Sequence, residues 1–319
     1  MKALQVNGFG DPPVLRDIAK PSPLPDEVVI RIRACGLNFA DLLLMEGRYQ
    51  EQPAVPFTLG MEFSGEVAAL GPHVTGLRPG DRVAVYSGHG GLAQNASVPA
   101  TRCVPMPQSM TFEQAAAFQV AYGTSHLALA HKARLLPGET LLVLGAAGGV
   151  GLTAVELGKR MGARVIACAR GPEKLAIAQA AGADHLIDSD TDDLRSAVKD
   201  LGGADVVFDP VGGALFRDAL SATRPDGRIL LIGFASGDLP EIRPNHLLVK
   251  NVSVVGFWWG GYLDFAPDIL ADSLKTLFSW FDEGGLRPHI SHTLPLAQAT
   301  DGLELLRSRQ STGKVVITP

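Results

Sequence analysis

The sequence predicts an α/β protein that combines a doubly wound parallel sheet with a β-rich domain. The chain has 319 residues, which suits about two domains of ~150 residues each. Up to about residue 117, short β-branched runs alternate with proline and glycine, as is typical of a β-rich domain. From about residue 118, short apolar strands alternate with longer helical stretches. That alternation indicates a parallel sheet with crossover helices.

The strands of both parts can be placed from their apolar runs. In the β-rich part they are predicted at residues 28–34, 65–70 and 82–85. In the parallel sheet they are predicted at residues 140–144, 164–168, 185–187, 204–208, 228–232 and 252–255. An amphipathic helix at 150–161 follows the first of these six strands, and Gly162 ends it. A helix at 268–282 and a strand at 313–317 complete the prediction.

Composition and charge exclude several classes of protein. The chain is 46% hydrophobic and 19% charged, which is typical of a soluble globular protein and too apolar for disorder. A net charge of −5 without a basic cluster argues against nucleic acid or an anionic membrane as partner. The three cysteines, Cys35, Cys103 and Cys168, form no CxxC motif, so neither a disulfide framework nor a zinc knuckle is expected. The first residues lack an apolar signal core, so we expect a cytoplasmic protein.

A glycine-rich turn follows the first strand of the parallel sheet and leads into the helix at 150–161. Strand, turn and helix in this order are typical of dinucleotide-binding proteins. Gly148 allows the backbone to approach a pyrophosphate, and Gly151 allows the helix to pack closely on the strand. The residues predicted to bind the phosphates are Ala147, Gly148, Gly149 and Val150. Ala146 departs from the G-x-G-x-x-G pattern, and a turn that only packs the helix on the strand is the alternative.

The end of the next strand indicates which dinucleotide binds. NAD-binding chains carry an acidic residue there, whereas this chain has Ala169. Arg170 and Lys174 follow, and both can pair with a 2′-phosphate. The sequence therefore predicts NADPH as cofactor. The alternative is that both side chains belong to a solvated loop and helix start.

Several short motifs, in a fixed order along the chain, resemble those of one enzyme superfamily. They are residues 35–41 (CGLNFAD), 60–62 (GME), 80–83 (GDRV), 122–124 (YGT), 146–151 (AAGGVG) and 312–314 (TGK). Together they resemble the medium-chain dehydrogenase/reductase superfamily, and within it the zinc-free NADPH:quinone oxidoreductase branch. The resemblance implies a GroES-like barrel domain at residues 1–117 and 258–319. It also implies a Rossmann domain at 118–257, with the nicotinamide in the cleft between the two domains.

The same resemblance allows a residue-by-residue test for zinc. Alcohol dehydrogenases of this superfamily carry a cysteine at the position of Asn38 and a histidine at the position of Met61. Neither residue present here is a good zinc ligand. Glu62 is then expected to be a structural carboxylate. No metal site is predicted.

The resemblance also supplies candidates for the reaction site. Asn38 and Tyr49 are the predicted catalytic residues, and the Asn38 amide is expected to orient the nicotinamide or to donate to the acceptor oxygen. Asp41 is expected to brace its short helix, and Asp188 to point away from a bound 2′-phosphate.

Thr124 and Phe257 match cofactor-side positions of the family. Gly233 and Phe234 are further cofactor-side candidates because they follow a strand at the carboxyl edge of the sheet, where doubly wound folds bind ligands. Lys314 is expected to reach the cofactor phosphates, and the alternative is that it faces the solvent.

Without zinc, a conjugated acceptor is favoured, because the charge formed on hydride transfer spreads to a distant oxygen. We therefore expect an NADPH-dependent quinone or enone reductase. One alternative is an enoyl-thioester reductase of the acrylyl-CoA type. The alternative from another class is an NADPH-binding structural or RNA-binding crystallin-like protein. The chain is expected to be a homodimer that pairs through the strand at 252–255, with a small-molecule acceptor as its other partner.

Overall fold

The structure is a computed structural model that describes every residue from Met1 to Pro319. The chain divides into two units, one formed by Met1–Val120 with Pro288–Pro319 and the other by Ala121–Arg287. The sequence placed the second boundary near residue 257, so residues 258–287 differ from the expected domain division. They pack inside the second unit because Trp280 stacks edge-on against His126 at 5.3 Å, and the Arg287 N–H donates to Glu156 at 2.7 Å.

Helices and strands alternate more regularly in the second unit than in the first. The strands are β1 (Lys2–Val6), β2 (Val14–Asp17), β3 (Glu27–Gly36), β4 (Phe57–Thr58), β5 (Glu62–Leu70), β6 (Arg82–Tyr86), β7 (Asn95–Pro99), β8 (Cys103–Pro105), β9 (Thr140–Leu144), β10 (Arg164–Ala169), β11 (His185–Asp188), β12 (Ala204–Asp209), β13 (Thr223–Leu231), β14 (Ser253–Gly256), β15 (Ile290–Pro295) and β16 (Lys314–Thr318). The helices are α1 (Phe39–Met45), α2 (Phe112–Ala116), α3 (Gln119–His126), α4 (Gly149–Arg160), α5 (Pro172–Ala180), α6 (Leu194–Asp200), α7 (Gly213–Ala222), α8 (Pro244–Lys250), α9 (Tyr262–Phe265), α10 (Pro267–Asp282) and α11 (Ala299–Arg307). A π-helical segment at Leu127–Lys132 follows α3, and short 3₁₀ turns lie at Ala100–Arg102 and Leu296–Gln298.

The second unit is built on a six-stranded sheet in the order β11-β10-β9-β12-β13-β14, and every neighbouring pair is parallel. Numbered within the sheet, this is the order 3-2-1-4-5-6 of the doubly wound dinucleotide-binding fold. The predicted α/β class with a doubly wound sheet is confirmed. All five residues of the central strand β9 are buried, as expected for a strand with helices on both faces. The chain order reverses between β9 and β12, which is where such folds bind ligands.

The first unit is β-rich, as the sequence predicts. Strand β3 is central in its larger sheet, where it pairs with β5, β7 and β16. The register of β3 with β16 joins distant parts of the chain, because Gly36 lies opposite Val316 and Cys35 opposite Ile317. Helix α1 begins three residues after β3 ends. The residues between them, and the ends of β3 and β16, position the buried cluster described below.

Two further features of the fold bear on the predictions. None of the helices combines the length and the apolar composition that a membrane crossing requires. Strand β14 lies at an edge of the six-stranded sheet. Pairing of two copies through this edge stays a prediction.

Candidate functional site

The glycine-rich turn lies at the carboxyl end of β9, as the sequence predicts. The residue of the turn with left-handed backbone is Gly145, with φ of +59°, so the next position can hold an alanine. The Ala146 N–H donates to the Cys168 carbonyl of β10 at 3.0 Å. Gly148 is exposed and precedes α4, whose first turn carries no acidic side chain. The first N–H groups of a helix have no carbonyl partner within it and favour anions. The turn therefore presents a site suited to a phosphate.

The position of α4 depends on Gly151. A Cβ atom at this residue would lie 2.1 Å from the carbonyl oxygen of Gly145, whereas one at Gly148 would lie 3.3 Å from the same oxygen. Gly151 is thus required for the close packing of helix on turn, and Gly148 only keeps the outer side of the turn open. Among the other turn residues, Ala147 is buried, and Gly149 and Val150 are half-buried at the start of α4.

The end of β10 carries both predicted phosphate ligands and an acidic loop. Ala169 is buried and Arg170 is exposed, and the Arg170 Nε atom pairs with Asp190 at 3.1 Å. Lys174 lies in the first turn of α5. The Asp188 carboxylate accepts the N–H groups of Asp190 and Gly171, and these hydrogen bonds lower the pKa of Asp188. Asp188 is thus turned into its own loop, and Asp190 is the acidic partner of Arg170.

The other cofactor-side candidates follow the strand ends of the same sheet. Gly233 and Phe234 come after β13, and the Phe234 ring is partly exposed. Phe257 comes after β14, is 8% exposed and packs against Tyr262 with ring centroids 5.6 Å apart. Thr124 is buried in α3. Strand ends of a parallel sheet meet at one edge, so the strand-end candidates share the edge that carries the glycine turn.

Sequence reasoning missed one residue at this edge. Asp209, the last residue of β12, is fully buried, and its Oδ1 atom accepts the N–H groups of Val211 and Gly212 at 2.8 Å. Its Oδ2 atom has no hydrogen-bond partner, and burial raises the pKa of Asp209. The available signal was the Asp-Pro-Val-Gly-Gly turn at 209–213, which follows directly after a buried strand.

In the first unit, four polar side chains far apart in the sequence form one buried cluster. They are Asn38, Asp41, Glu62 and Lys314, each at most 9% exposed. The Lys314 ammonium donates to Glu62 Oε1 and to Asn38 Oδ1, both at 2.7 Å. Asn38 Nδ2 donates to Glu62 Oε1 at 3.0 Å, and the Val120 N–H donates to Glu62 Oε2 at 3.0 Å. Glu62 therefore anchors the cluster, as the structural role expected of it requires.

Lys314 departs from its expected role. The sequence assigned it to the cofactor phosphates, but its ammonium is committed to Glu62 and Asn38. A buried charge is stable only with such partners, so releasing it toward a phosphate would leave Glu62 buried without its counter-ion. The sequence also expected the Asn38 amide to donate to a ligand, and the structure instead turns its NH₂ group toward Glu62.

Asp41 braces the start of α1, as expected. Its Oδ2 atom accepts the Asn38 N–H at 2.8 Å, and its Oδ1 atom accepts the Gly60 N–H at 3.3 Å. Burial raises the pKa of Asp41 to about 7, although these hydrogen bonds and Lys314 act in the opposite direction. The carboxyl group is thus a structural support between α1 and the residues before β5.

Tyr49 lies half-buried in the segment between α1 and β4. A second tyrosine, Tyr86 at the end of β6, escaped the sequence reasoning. Burial raises the pKa of Tyr86, and the nearby groups that add to this effect are Tyr49, Glu51, Asp41 and Glu62. Tyr86 lies opposite Glu62 in the pairing of β5 with β6, so this phenol belongs to the surroundings of the buried cluster. No sequence signal marked Tyr86, because it ends an apolar strand.

The residues at the zinc-ligand positions do not fit a zinc ion. Asn38 and Met61 stand there, and an ammonium group lies 2.7 Å from the Asn38 oxygen. Cys35 is fully buried, and burial raises the pKa of its thiol, which disfavours the thiolate that binds zinc. No three His, Cys, Asp or Glu side chains are grouped as a metal would need. His289 and His292 instead contact Thr312 and Ser291.

Comparison with known proteins identifies the family. Residues 24–108 match the family model of the alcohol dehydrogenase GroES-like domain, and residues 149–275 match that of the zinc-binding dehydrogenase. A quinone oxidoreductase-like protein 2 homolog of Nematostella vectensis is 41% identical, covering 99% of this chain and 88% of that protein. The quinone oxidoreductase of Thermus thermophilus, solved also with NADPH, has a TM-score of 0.89 and 35% identity with full coverage of both chains. The Escherichia coli quinone oxidoreductase complexed with NADPH has a TM-score of 0.93 and 27% identity, again over both whole chains.

The chain combines a parallel sheet of order 3-2-1-4-5-6, which carries the glycine turn, with a GroES-like unit. This combination defines a medium-chain dehydrogenase/reductase. Within this superfamily the chain belongs to the zinc-free quinone oxidoreductase branch.

Proposed function

We propose that this protein is an NADPH-dependent oxidoreductase that reduces a quinone or another conjugated, enone-type acceptor without a metal ion. The observation that carries the proposal is the open glycine turn before α4, with Arg170 at the end of the adjacent strand. The NADPH complexes of two quinone oxidoreductases with the same fold support it.

We assign different residues of the chain to different parts of the cofactor. We assign the pyrophosphate to the N–H groups of residues 147–150 and the 2′-phosphate to Arg170 and Lys174. Thr124, Gly233, Phe234 and Phe257 are assigned to the nicotinamide side. Lys314 is not assigned to the phosphates, because its ammonium is held by Glu62 and Asn38.

Metal independence follows from the chemistry of the donor set. Reduction of an unactivated ketone forms an alkoxide, which a zinc ion stabilises well. NADPH, when bound, supplies a hydride, and a conjugated acceptor spreads the resulting charge over several atoms. The protein then has to hold the acceptor in register and to place a hydrogen-bond donor at its oxygen.

A panel of acceptors tests the function. We expect the purified protein to consume NADPH, followed by its near-ultraviolet absorbance, with a quinone or a simple enone. An unactivated ketone is the matched control and should give no turnover. Prolonged dialysis against a chelator should leave the rate unchanged. Turnover confined to an enoyl-CoA would favour the thioester alternative, and NADPH binding without any turnover would favour a structural role. Activity that is lost on chelation and restored by zinc would contradict the proposal.

Cofactor selectivity gives a second prediction. Asp190 competes with a 2′-phosphate for Arg170, since the two side chains are paired and about half exposed. We expect Asp190→Asn to tighten NADPH binding by about two- to five-fold, the range that an exposed ion pair of up to ~1 kcal/mol corresponds to. NADH binding should stay unchanged. Isothermal titration of both dinucleotides measures the effect.

Glu173→Gln is the matched control for this prediction. It removes the same charge two residues after Gly171 but leaves the Arg170–Asp190 pair intact. An equal gain in both variants would show that net charge, and not release of Arg170, sets the affinity for NADPH. An equal gain for NADH in Asp190→Asn would also contradict the assignment of Arg170.

A further inference from the structure

The Asp209 side chain fixes the conformation of the turn that follows β12. Its Oδ1 atom accepts the N–H groups of Val211 and Gly212, both at 2.8 Å. Pro210, which precedes them, has no N–H group to donate. A carboxyl oxygen that accepts the N–H groups two and three residues later holds its turn in one conformation. The Asp209 backbone carbonyl also accepts the Ile232 N–H at 2.9 Å, which joins the end of β12 to the residues after β13.

Each of the two residues that Asp209 holds contacts another part of the candidate dinucleotide site. A Cβ atom at Gly145 would lie 3.0 Å from Val211 Cγ2, so the valine side chain packs on the glycine turn. A Cβ atom at Gly212 would lie 3.1 Å from Phe234 Cδ1, so the Phe234 ring lies over Gly212. The residues after Gly145 are assigned to the pyrophosphate, and Phe234 is assigned to the nicotinamide side. One carboxyl group therefore supports two parts of the site.

Backbone hydrogen bonds join the same turn to residues 232–236, the segment after β13. The Ala235 N–H donates to the Pro210 carbonyl at 3.1 Å, and the Ser236 N–H donates to the Val211 carbonyl at 2.9 Å. All of these contacts lie within the second unit. A change in the turn after β12 would therefore move the segment after β13 as well.

A buried carboxyl group is an unusual choice for a turn whose only task is stability. Asp209 is fully buried, its Oδ2 atom has no hydrogen-bond partner, and burial raises its pKa. A buried polar atom without a partner lowers the stability of the folded chain. Such losses are typical of functional sites, where the placement of ligand-binding groups outweighs them. Asp209 lies at the edge of the sheet where folds of this kind bind ligands.

We propose that Asp209 is a positioning residue for the dinucleotide. This inference rests on the proposed function. Asp209 acts through Val211 on the glycine turn and through Gly212 on the Phe234 ring. It makes no contact of its own with the cofactor, because its remaining oxygen is closed off from the solvent.

The test compares NADPH with adenosine 2′-phosphate, a fragment that carries only the phosphate assigned to Arg170 and Lys174. We expect Asp209→Ala to weaken NADPH binding by about ten-fold or more, the loss that two ordinary hydrogen bonds correspond to. Binding of the fragment should stay near that of the wild type. Asp209→Asn keeps an oxygen that can accept both N–H groups, so it should restore most of the affinity for NADPH. Isothermal titration measures both ligands.

Asp205→Ala is the matched control. Asp205 lies near the other end of β12 and accepts the Thr140 N–H at 2.7 Å, so its loss also removes a carboxylate that holds a backbone N–H group. Both alanine variants should lower Tm, but only Asp209→Ala should change the ratio of the two affinities. Val211→Ala keeps the carboxyl group and removes only the contact with Gly145. It should weaken NADPH binding and not fragment binding, which tests the inference even if Asp209→Ala does not fold.

The inference is overturned if Asp209→Ala binds NADPH like the wild type, or if both ligands lose the same factor. It is also overturned if Asp205→Ala changes the ratio equally, if Asp209→Asn binds as weakly as Asp209→Ala, or if Val211→Ala leaves NADPH binding unchanged. A wild-type protein that binds no NADPH would instead refute the proposed function.

Discussion

Replacing Glu62 by leucine is expected to lower the free energy of unfolding by about 3–5 kcal/mol, because it leaves the buried Lys314 ammonium without its counter-ion. The same change removes the acceptor of the Val120 N–H and of the Asn38 NH₂ group. Urea denaturation at neutral pH, followed by fluorescence or circular dichroism, measures the loss.

The double variant Glu62→Leu/Lys314→Met tests whether the unpaired ammonium causes this loss of stability. With both charges gone, the cost of burying an unpaired ammonium disappears, so the double variant should recover more than half of the lost free energy. Strictly additive losses would show that the two side chains do not depend on each other. A loss below ~1 kcal/mol for Glu62→Leu alone would place the pair among weak, solvent-screened contacts.

Gly151→Ala should damage both the fold and the binding of the dinucleotide. Its Cβ atom would overlap the Gly145 carbonyl oxygen at 2.1 Å, and both groups belong to rigid backbone. We expect a loss of about 1–3 kcal/mol or more in stability, as for other overpacked sites. We also expect at least a ten-fold weaker affinity for NADPH, which corresponds to about 1.4 kcal/mol. Thermal unfolding and isothermal titration give the two values.

Two other glycine variants are the controls for this prediction. Gly148→Ala places its Cβ atom at 3.3 Å from the same oxygen, so stability should change little while phosphate binding still suffers. Gly256→Ala meets no atom within 4 Å and should leave both quantities near the wild type. Wild-type stability and affinity in Gly151→Ala would refute the role given to the turn.

The parallel sheet was predictable because its strands are short apolar runs between helices of clear period. The strand predicted at 140–144 is β9 with the same bounds, and the helix predicted at 150–161 is α4 at Gly149–Arg160. The division of the chain was less predictable. The apolar face of α10 indicates that the helix packs against other elements, but its sequence does not indicate whether these elements belong to the first or the second unit.

The buried cluster lay beyond sequence reasoning for a related reason. Lys314 stands 276 residues from Asn38 and 252 from Glu62, and its TGK motif looks the same whether the ammonium meets a phosphate or a carboxylate. Resemblance supplied Asn38 as a position of interest, but only the hydrogen bonds around its amide show that it cannot donate to a ligand. Asp209 was missed although the turn at 209–213 marks the end of its strand, and Tyr86 was missed because it ends an apolar strand.

The interrupted first unit has a consequence for how the chain emerges from the ribosome. The second unit is continuous from Ala121 to Arg287, so it can fold once those 167 residues have been made (287 − 120). At translation rates of about 5–20 residues per second, this takes roughly 8–33 s. During that interval β16 has not been made, so the end of β3 has no partner strand there and Glu62 has no Lys314 to pair with. The nascent amino-terminal portion therefore carries an unpaired strand edge, the kind of surface that general chaperones protect during synthesis.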